Sequence, residues 1–211
     1  MFDKKEKLYQ KASKLALTNA MMMYEEANLL YNNKHYARCF VLGITSLEES
    51  AKAFLLRLIS LDLVDESLTM DFIHDHKKKL EQSGRIMSFM IELLKLIGSM
   101  LPFMEGKRSQ IKKWQNNIRE NAKTYTILSQ EIAKSHNRKL DAFYVDVRNK
   151  KIINPNDMFT EENASALLEI VKMQNSSSKI FVDIGKNDFL RMWNDSSNFA
   201  SVLKIRKLLK E

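Results

Sequence analysis

Two adjacent glutamates and a lysine interrupt the apolar stretch SLEESAKAFLLRLI, residues 46–59. On a helix of about 100° per residue, Glu48 and Lys52 fall between two apolar rows, and Glu49 falls within one of them. Because an unpaired buried carboxylate is costly, we expect Glu48 and Lys52 to satisfy each other in part, which leaves Glu49 in need of a partner. The cluster is either a prepared acid or base, or an internal salt bridge that fixes helix packing.

A histidine in FIHDHKKKL, residues 72–80, is a candidate partner for this cluster. His76 lies one helical turn from Phe72 and Leu80 and therefore follows the inner apolar face. A glutamate, a lysine and a histidine that meet between two helices suit proton transfer near neutral pH. The alternative is a hydrogen-bonded core histidine. We expect no metal site, because no second histidine or cysteine stands at ligand spacing.

The positive charge of the chain is concentrated in one segment. Residues 107–151 hold 12 Lys/Arg and 4 Asp/Glu, whereas the residues before and after them are balanced. Cations interleaved with aromatic residues suit phosphate contacts and base stacking, so RNA is a candidate ligand. The alternative is a solvated helix face. The candidate RNA-binding residues are Lys112, Lys113, Arg119, Lys123, Arg138, Tyr144, Arg148 and Lys150.

The elements that must position these residues are predicted to be helical. Five glycines and two prolines in 211 residues leave few sites for tight turns, which favours an all-α chain with one domain over residues 1–211. The pattern predicts a bundle of about five to six helices, with a short hairpin or extended excursion near residues 140–155. The predicted helices cover about 3–31, 35–60, 69–101, 107–137, 160–184 and 187–210.

Three details follow from the same helical patterns. The inward face of the first helix is predicted to hold Leu8, Ala12, Leu15, Ala16, Met22 and Met23. The solvent-facing stripe of the second helix is predicted to hold Ser46, Ser50 and Arg57. The fifth helix is predicted to begin after a cap at Thr160 and to be kinked or interrupted at NSSSK, residues 175–179.

The chain carries no sign of export or membrane insertion. Its single cysteine, Cys39, excludes an intrachain disulfide and fits a reducing, cytoplasmic setting. The first residues lack the apolar stretch of a secretory signal. The most apolar stretch, IMSFMIELLKLIGSM, contains Glu92 and Lys95, so we expect no membrane partner.

Three motifs, taken together, resemble a known family. The order YARCFVLGITSLEESAKAFLL, FIHDHKKKL and FYVDVRNKKIINPNDMF is similar to that of the AbiV-type abortive infection proteins of bacteria. The family pattern is Glu-Glu-x-x-Lys, then His-x-x-Lys, then Tyr-Val-Asp followed by a proline, and the resemblance covers about residues 30–160. The matching residues here are Glu48, Glu49 and Lys52; His76 and Lys79; and Tyr144, Val145, Asp146 and Pro155.

The resemblance implies an all-α HEPN-like bundle and a cytoplasmic role in defence against phage, with arrest of growth or translation after infection. Many HEPN relatives are dimeric ribonucleases that cut RNA without a metal. The implied partners are therefore a second copy and RNA, with a phage protein as activator or target, and no cofactor is implied. The usual HEPN signature, an arginine followed by a histidine after four to six residues, is absent, so enzyme activity stays open.

Any nuclease chemistry must then use a set of catalytic residues other than the arginine–histidine signature. We hypothesise that His76, poised by Glu48 or Glu49, exchanges protons with the RNA 2′-hydroxyl or the leaving oxygen, while Lys52 or Lys79 stabilises phosphate charge. Asp146 contributes from the late excursion in this hypothesis. The competing reading is a non-enzymatic protein that binds a phage factor or the translation machinery through its Met-rich face and basic segment. A third reading is that the cluster only holds a dimeric bundle together.

Overall fold

The computed structural model describes residues 2–74, residue 116 and residues 136–194. These ranges confirm the predicted all-α bundle with a small hairpin. Within them no helix is both long and apolar enough to cross a membrane. The helices are α1 Phe2–Asn32, α2 Tyr36–Ser60, α3 Glu66–His74, α4 His136–Asp141, α5 Pro155–Met158, α6 Glu161–Asp183 and α7 Lys186–Asn194, and the strands are β1 Asp146–Arg148 and β2 Lys151–Ile153.

Helix α2 lies at the centre, packed against both α1 and α6. The predicted solvent stripe of α2 is wrong, because Ser46, Ser50 and Arg57 are all fully buried. Each side chain has found a hydrogen-bond partner across a helix interface, which makes its burial tolerable. Ser46 Oγ donates to the Ala20 carbonyl at 2.6 Å, and Ser50 Oγ lies 2.9 Å from Ser178 Oγ.

Helix α6 begins as predicted but is not interrupted. The Thr160 hydroxyl accepts a hydrogen bond from the Asn163 amide at 3.3 Å, and the Asn163 side chain reaches back to Thr160, so a capping box starts the helix. The predicted interruption at residues 175–179 is wrong, because α6 is continuous from Glu161 to Asp183. The small polar side chains there face α2 instead of water, and Asn175 Nδ2 donates to Ser46 Oγ at 3.1 Å.

Helix α1 has the predicted length but largely the wrong predicted inward face. Leu8, Leu15 and Met22 are exposed, whereas Ala16 is buried as predicted. Most of the buried side chains of α1 are small, whereas several bulky apolar side chains lie on its exposed side. The buried residues of α1 are Ser13, Ala16, Leu17, Ala20 and Ala27.

The hairpin predicted near residues 140–155 is confirmed. Strands β1 and β2 are antiparallel, with Val147 opposite Ile152. The two-residue turn places Asn149 and Lys150 at φ of 52° and 62°, as the left-handed turns that suit hairpins require. Helix α4, which leads into the hairpin, ends at Asp141, four residues later than predicted. Most of the predicted helices over 69–101 and 107–137 lies outside the described residues.

Candidate functional site

Of the candidate catalytic residues that the structure describes, Glu48 is the most deeply buried. It is 1% exposed, and Lys139 Nζ donates to both of its carboxylate oxygens at 3.2 Å. The predicted pairing of Glu48 with Lys52 is therefore wrong. A buried carboxylate needs a cation and further hydrogen bonds nearby, and α4 supplies the cation from a distant part of the sequence.

Glu49 and Lys52 form a separate ion pair on a more solvent-exposed side of α2. Lys52 Nζ lies 3.3 Å from Glu49 Oε1, and both side chains are partly exposed. Asn19 of α1 donates to Glu49 Oε2 at 3.3 Å, so the pair lies along the seam between α1 and α2. Of the described candidate acids on α2, Glu49 is thus the one that solvent can reach.

Three side chains of α4, Arg138, Lys139 and Asp141, hold this short helix against its surroundings, and we call them the α4 clasp. The Arg138 guanidinium lies 5.3 Å from the ring centroid of Phe40 and 5.5 Å from that of Phe159. Those rings are themselves 4.7 Å apart. Cation–π contact of this kind stabilises by about 0.5–1 kcal/mol at exposed sites. Arg138 therefore has a packing role in addition to its charge.

Asp141 connects the clasp to the hairpin. Its Oδ1 lies 2.6 Å from Arg148 Nη2, and Arg148 Nε lies 2.7 Å from Asp146 Oδ2. The hydrogen bond from Arg148, followed by that from the Val147 amide, lowers the pKa of Asp146 below its ordinary value. The two carboxylates raise the pKa of Arg148. Asp146 is thus a carboxylate engaged by its neighbour on the same strand.

The hairpin and the residues just before it expose apolar, aromatic and basic side chains. The rings of Phe143 and Tyr144 lie 5.6 Å apart between centroids and both are exposed. The cross-strand pair Val147 and Ile152 is also exposed, which is unusual for β-branched side chains in a sheet. We call the following set the hairpin surface: Phe143, Tyr144, Val147, Lys150, Lys151 and Ile152, all of them exposed.

The structure brings together only part of the predicted site. Asp146, Tyr144, Arg148 and Lys150 lie on or beside the hairpin, whereas Glu49 and Lys52 lie on α2. His76, Lys79, Lys112, Lys113, Arg119 and Lys123 lie outside the described residues. Within the described ranges, no three His, Cys, Asp or Glu side chains are grouped closely enough to hold a metal ion.

The sequence reasoning missed Lys139 and Asp141. Lys139 was one of many cations in the basic segment, and nothing in its spacing relates it to Glu48. One sequence signal was available. A glutamate inside an apolar helix requires a cation, and the basic segment, residues 107–151, can supply one. The signal for Asp141 was weaker, because it was one of only four acids among twelve cations.

Comparison with known proteins identifies the family. The family model for AbiV, of the HEPN class, matches residues 8–175, which extends from α1 into α6. No curated protein and no solved structure gives a significant match. The matched region includes the Glu48–Lys139 pair, the α4 clasp and the hairpin, and it covers well over half of the sequence. The chain belongs to the AbiV family of HEPN proteins.

Proposed function

We propose that this AbiV protein arrests growth or translation after phage infection by acting on RNA, which it contacts through the hairpin surface. The observation that carries the proposal is that two neighbouring aromatic rings, Phe143 and Tyr144, and two lysines, Lys150 and Lys151, are all exposed on the hairpin and the residues leading into it. Aromatic faces accept unpaired bases, and lysines contact phosphates, so this combination fits single-stranded RNA.

The anchoring of the hairpin supports this role. A two-stranded hairpin alone is at best marginally stable in water. Here Arg148 joins it to Asp141 of α4, and α4 is in turn joined to the core through the Glu48–Lys139 pair. A rigid platform loses less entropy when it binds a flexible strand. Arg148 therefore acts as an anchor for the platform, and Tyr144 and Lys150 make the proposed RNA contacts.

The same contacts divide the proposed catalytic residues by role. Glu48 is buried and paired, so we assign it to positioning α4 and, through α4, the hairpin. Glu49 and Lys52 reach solvent and stay in the chemical hypothesis, in which Glu49 poises His76 for proton transfer with the 2′-hydroxyl and Lys52 stabilises phosphate charge. The contribution of His76 and Lys79 is a proposal from the sequence motifs alone.

The test is an RNA-binding and cleavage assay on the purified full chain, with and without EDTA. Replacing Lys150 and Lys151 by alanine is expected to weaken RNA binding roughly tenfold and to flatten its salt dependence, because two phosphate contacts are lost. A matched control removes two exposed lysines of α6, Lys172 and Lys179, and is expected to leave binding unchanged. Equal losses in both variants would mean that only overall charge matters.

Cleavage separates the two halves of the proposal. A folded His76→Ala variant is expected to bind RNA normally and to lose cleavage, with or without EDTA. Full cleavage or full toxicity in that variant would overturn the assignment of His76. Absence of RNA binding in the unmodified protein would overturn the proposed function itself.

A second candidate function is binding of a phage factor or of the translation machinery without chemistry. The observation that favours it is the exposed Val147–Ile152 pair, since β-branched side chains in water indicate a missing partner surface. The variant Val147→Ser/Ile152→Ser separates the candidates. Loss of growth arrest with RNA cleavage intact would favour the binding role, and parallel loss of both would favour a platform for RNA.

A further inference from the structure

The two outer edges of the hairpin differ in the backbone groups that they offer to a partner. Hydrogen bonds between antiparallel strands join alternate residue pairs. The pair Arg148 and Lys151 flanks the two-residue turn and is hydrogen-bonded across the hairpin. The next pair, Val147 and Ile152, therefore turns its backbone N–H and C=O groups outwards, Val147 at the edge of β1 and Ile152 at the edge of β2.

The edge of β1 is closed by a side chain. Asp146 Oδ1 accepts a hydrogen bond from the Val147 N–H at 2.8 Å, and Asp146 Oδ2 lies 2.7 Å from Arg148 Nε. The outward donor of β1 is thus already used, and the carboxylate that uses it is held in place by Arg148. A charged side chain at the edge of a sheet prevents the pairing of a further strand there.

The edge of β2 is open among the residues that the structure describes. Within them, the Ile152 N–H and C=O have no hydrogen-bond partner. Asn154, two residues further along, has an extended backbone, so its N–H points to the same edge, and it also has no partner there. The Asn154 carbonyl accepts the Asp157 amide at 3.0 Å, which ends the open edge. Two donors and one acceptor remain, and such an edge is a template for another strand.

The side chains of the hairpin indicate which strand would fit. Val147 and Ile152 share one face and are 67% and 75% exposed, whereas Arg148 and Lys151 share the opposite face. Lys151 has no ion pair in the described part of the chain. A strand added beside β2 would extend both rows, with apolar residues next to Ile152 and acidic residues next to Lys151.

We propose that the edge of β2 binds an extended segment of another protein, in which apolar and acidic residues alternate, as a third antiparallel or parallel strand. In this mode of recognition the main-chain hydrogen bonds give affinity, and the alternating side chains give specificity. The inference goes beyond the proposed action on RNA, because it depends on the backbone of Ile152 and Asn154 and not on the rings of Phe143 and Tyr144.

The first test measures binding of a fluorescent peptide to the full chain by anisotropy. The probe is a seven-residue peptide in which four glutamates alternate with three valines. The control peptide has the same composition with the three valines adjacent, and it is expected to bind at least roughly tenfold more weakly because it cannot place both rows correctly. No binding of the alternating peptide, or equal binding of both peptides, would overturn the proposal.

A matched pair of variants tests the role of the backbone donor. Ile152→Pro removes the outward N–H but no hydrogen bond of the hairpin, and it is expected to weaken binding of the alternating peptide roughly tenfold. Ile152→Thr keeps both the N–H and the β-branched shape and is expected to change binding by less than about threefold. Unchanged affinity of Ile152→Pro, or equal losses in both variants, would show that the edge is not the binding site.

Amide hydrogen exchange of the unmodified protein gives a readout that does not depend on any variant. The alternating peptide is expected to slow exchange at Ile152 and Asn154 and to leave Val147 unchanged, because the Val147 N–H is already bound to Asp146. Peptide binding without protection of Ile152 would overturn the proposal. Protection of Ile152 that rises with protein concentration in the absence of peptide would assign the edge to a second copy of the chain and would also overturn it.

Discussion

The carboxylate of Glu48 and the ammonium of Lys139 meet at 3.2 Å although 91 positions separate them in the sequence. Glu48 belongs to the central helix α2, and Lys139 belongs to the short helix that leads into the hairpin. Their contact links the bundle core to the surface proposed to bind RNA. Because Asp141 of the same short helix also holds Arg148, a disturbance at Glu48 is expected to reach the hairpin through two consecutive ion pairs.

Replacing Lys139 by methionine is expected to destabilise the protein by about 3 kcal/mol, because the buried Glu48 carboxylate loses the ammonium that donates to both of its oxygens. Methionine keeps most of the aliphatic length, so the loss reports the charge more than the packing. Chemical unfolding followed by circular dichroism measures the change. Lys151→Met, at an exposed residue of β2, is the control and is expected to change stability by less than about 0.5 kcal/mol.

A double-mutant cycle with Glu48→Gln completes this prediction. Once Glu48 is neutral, the further change Lys139→Met is expected to cost much less than it costs alone, because the charge pair is already gone. Additive losses would contradict a direct interaction between the two residues.

Local sequence signals predicted the helices and their ends better than they predicted burial. The Thr160 cap and the hairpin depend on residues within a few positions of one another, and both are found. The solvent stripe of α2 failed because a helical wheel reads serine and arginine as exposed. Ser46 and Arg57 are buried since α1 and the end of α6 offer them carbonyl oxygens, at Ala20 and Ile184.

On α1 the prediction of burial failed in the opposite direction, because apolar residues predicted to be buried are exposed. Hydrophobicity alone directed Leu8, Leu15 and Met22 inward, but close packing against α2 favours the alanines on the other side. The partner of Glu48 was also beyond local reasoning, because any of the twelve cations in residues 107–151 could have served. The burial on α1 and α2 and the partner of Glu48 each depend on which helix packs alongside, and local sequence patterns do not give that information.

A side chain at Gly43 is expected to be costly at the interface between α2 and α6. A Cβ added there would lie 2.7 Å from Leu167 Cδ2 and 3.1 Å from Leu167 Cγ. Gly43→Ala therefore introduces overpacking that outweighs the gain in helix propensity, with a net loss of about 1–2 kcal/mol in unfolding free energy. In the Gly43→Ala background, Leu167→Ala is expected to cost less than in the original protein. A stabilised Gly43→Ala variant would show that α6 can shift without loss.

Cys39 is expected to be unreactive while the protein is folded. Burial raises the pKa of its thiol from 9.0 to about 11. At pH 8 the thiolate fraction is then about a hundredfold lower than for an ordinary cysteine, and burial also blocks the reagent. The reaction of Cys39 with a disulfide reagent that releases a coloured thiolate should be nearly undetectable without urea. When urea is added, the reaction should follow the unfolded fraction of the protein. Because the folded state retains the proton, stability is expected to fall as pH rises from about 9 towards 11.

Lys150 is expected to strain the turn that presents it. Its φ of 62° lies in the left-handed region, where a lysine costs about 1 kcal/mol and a glycine costs nothing. Lys150→Gly should therefore slow amide hydrogen exchange in β1 and β2 roughly fivefold, while it weakens RNA binding by removing a cation. Asn149→Gly is the matched control, because asparagine already accepts this conformation and its φ is 52°, so the gain there should be smaller. A Lys150→Gly variant with slower amide hydrogen exchange in the hairpin and unchanged RNA affinity would show that the turn geometry does not affect binding. It would also remove Lys150 from the proposed RNA contacts.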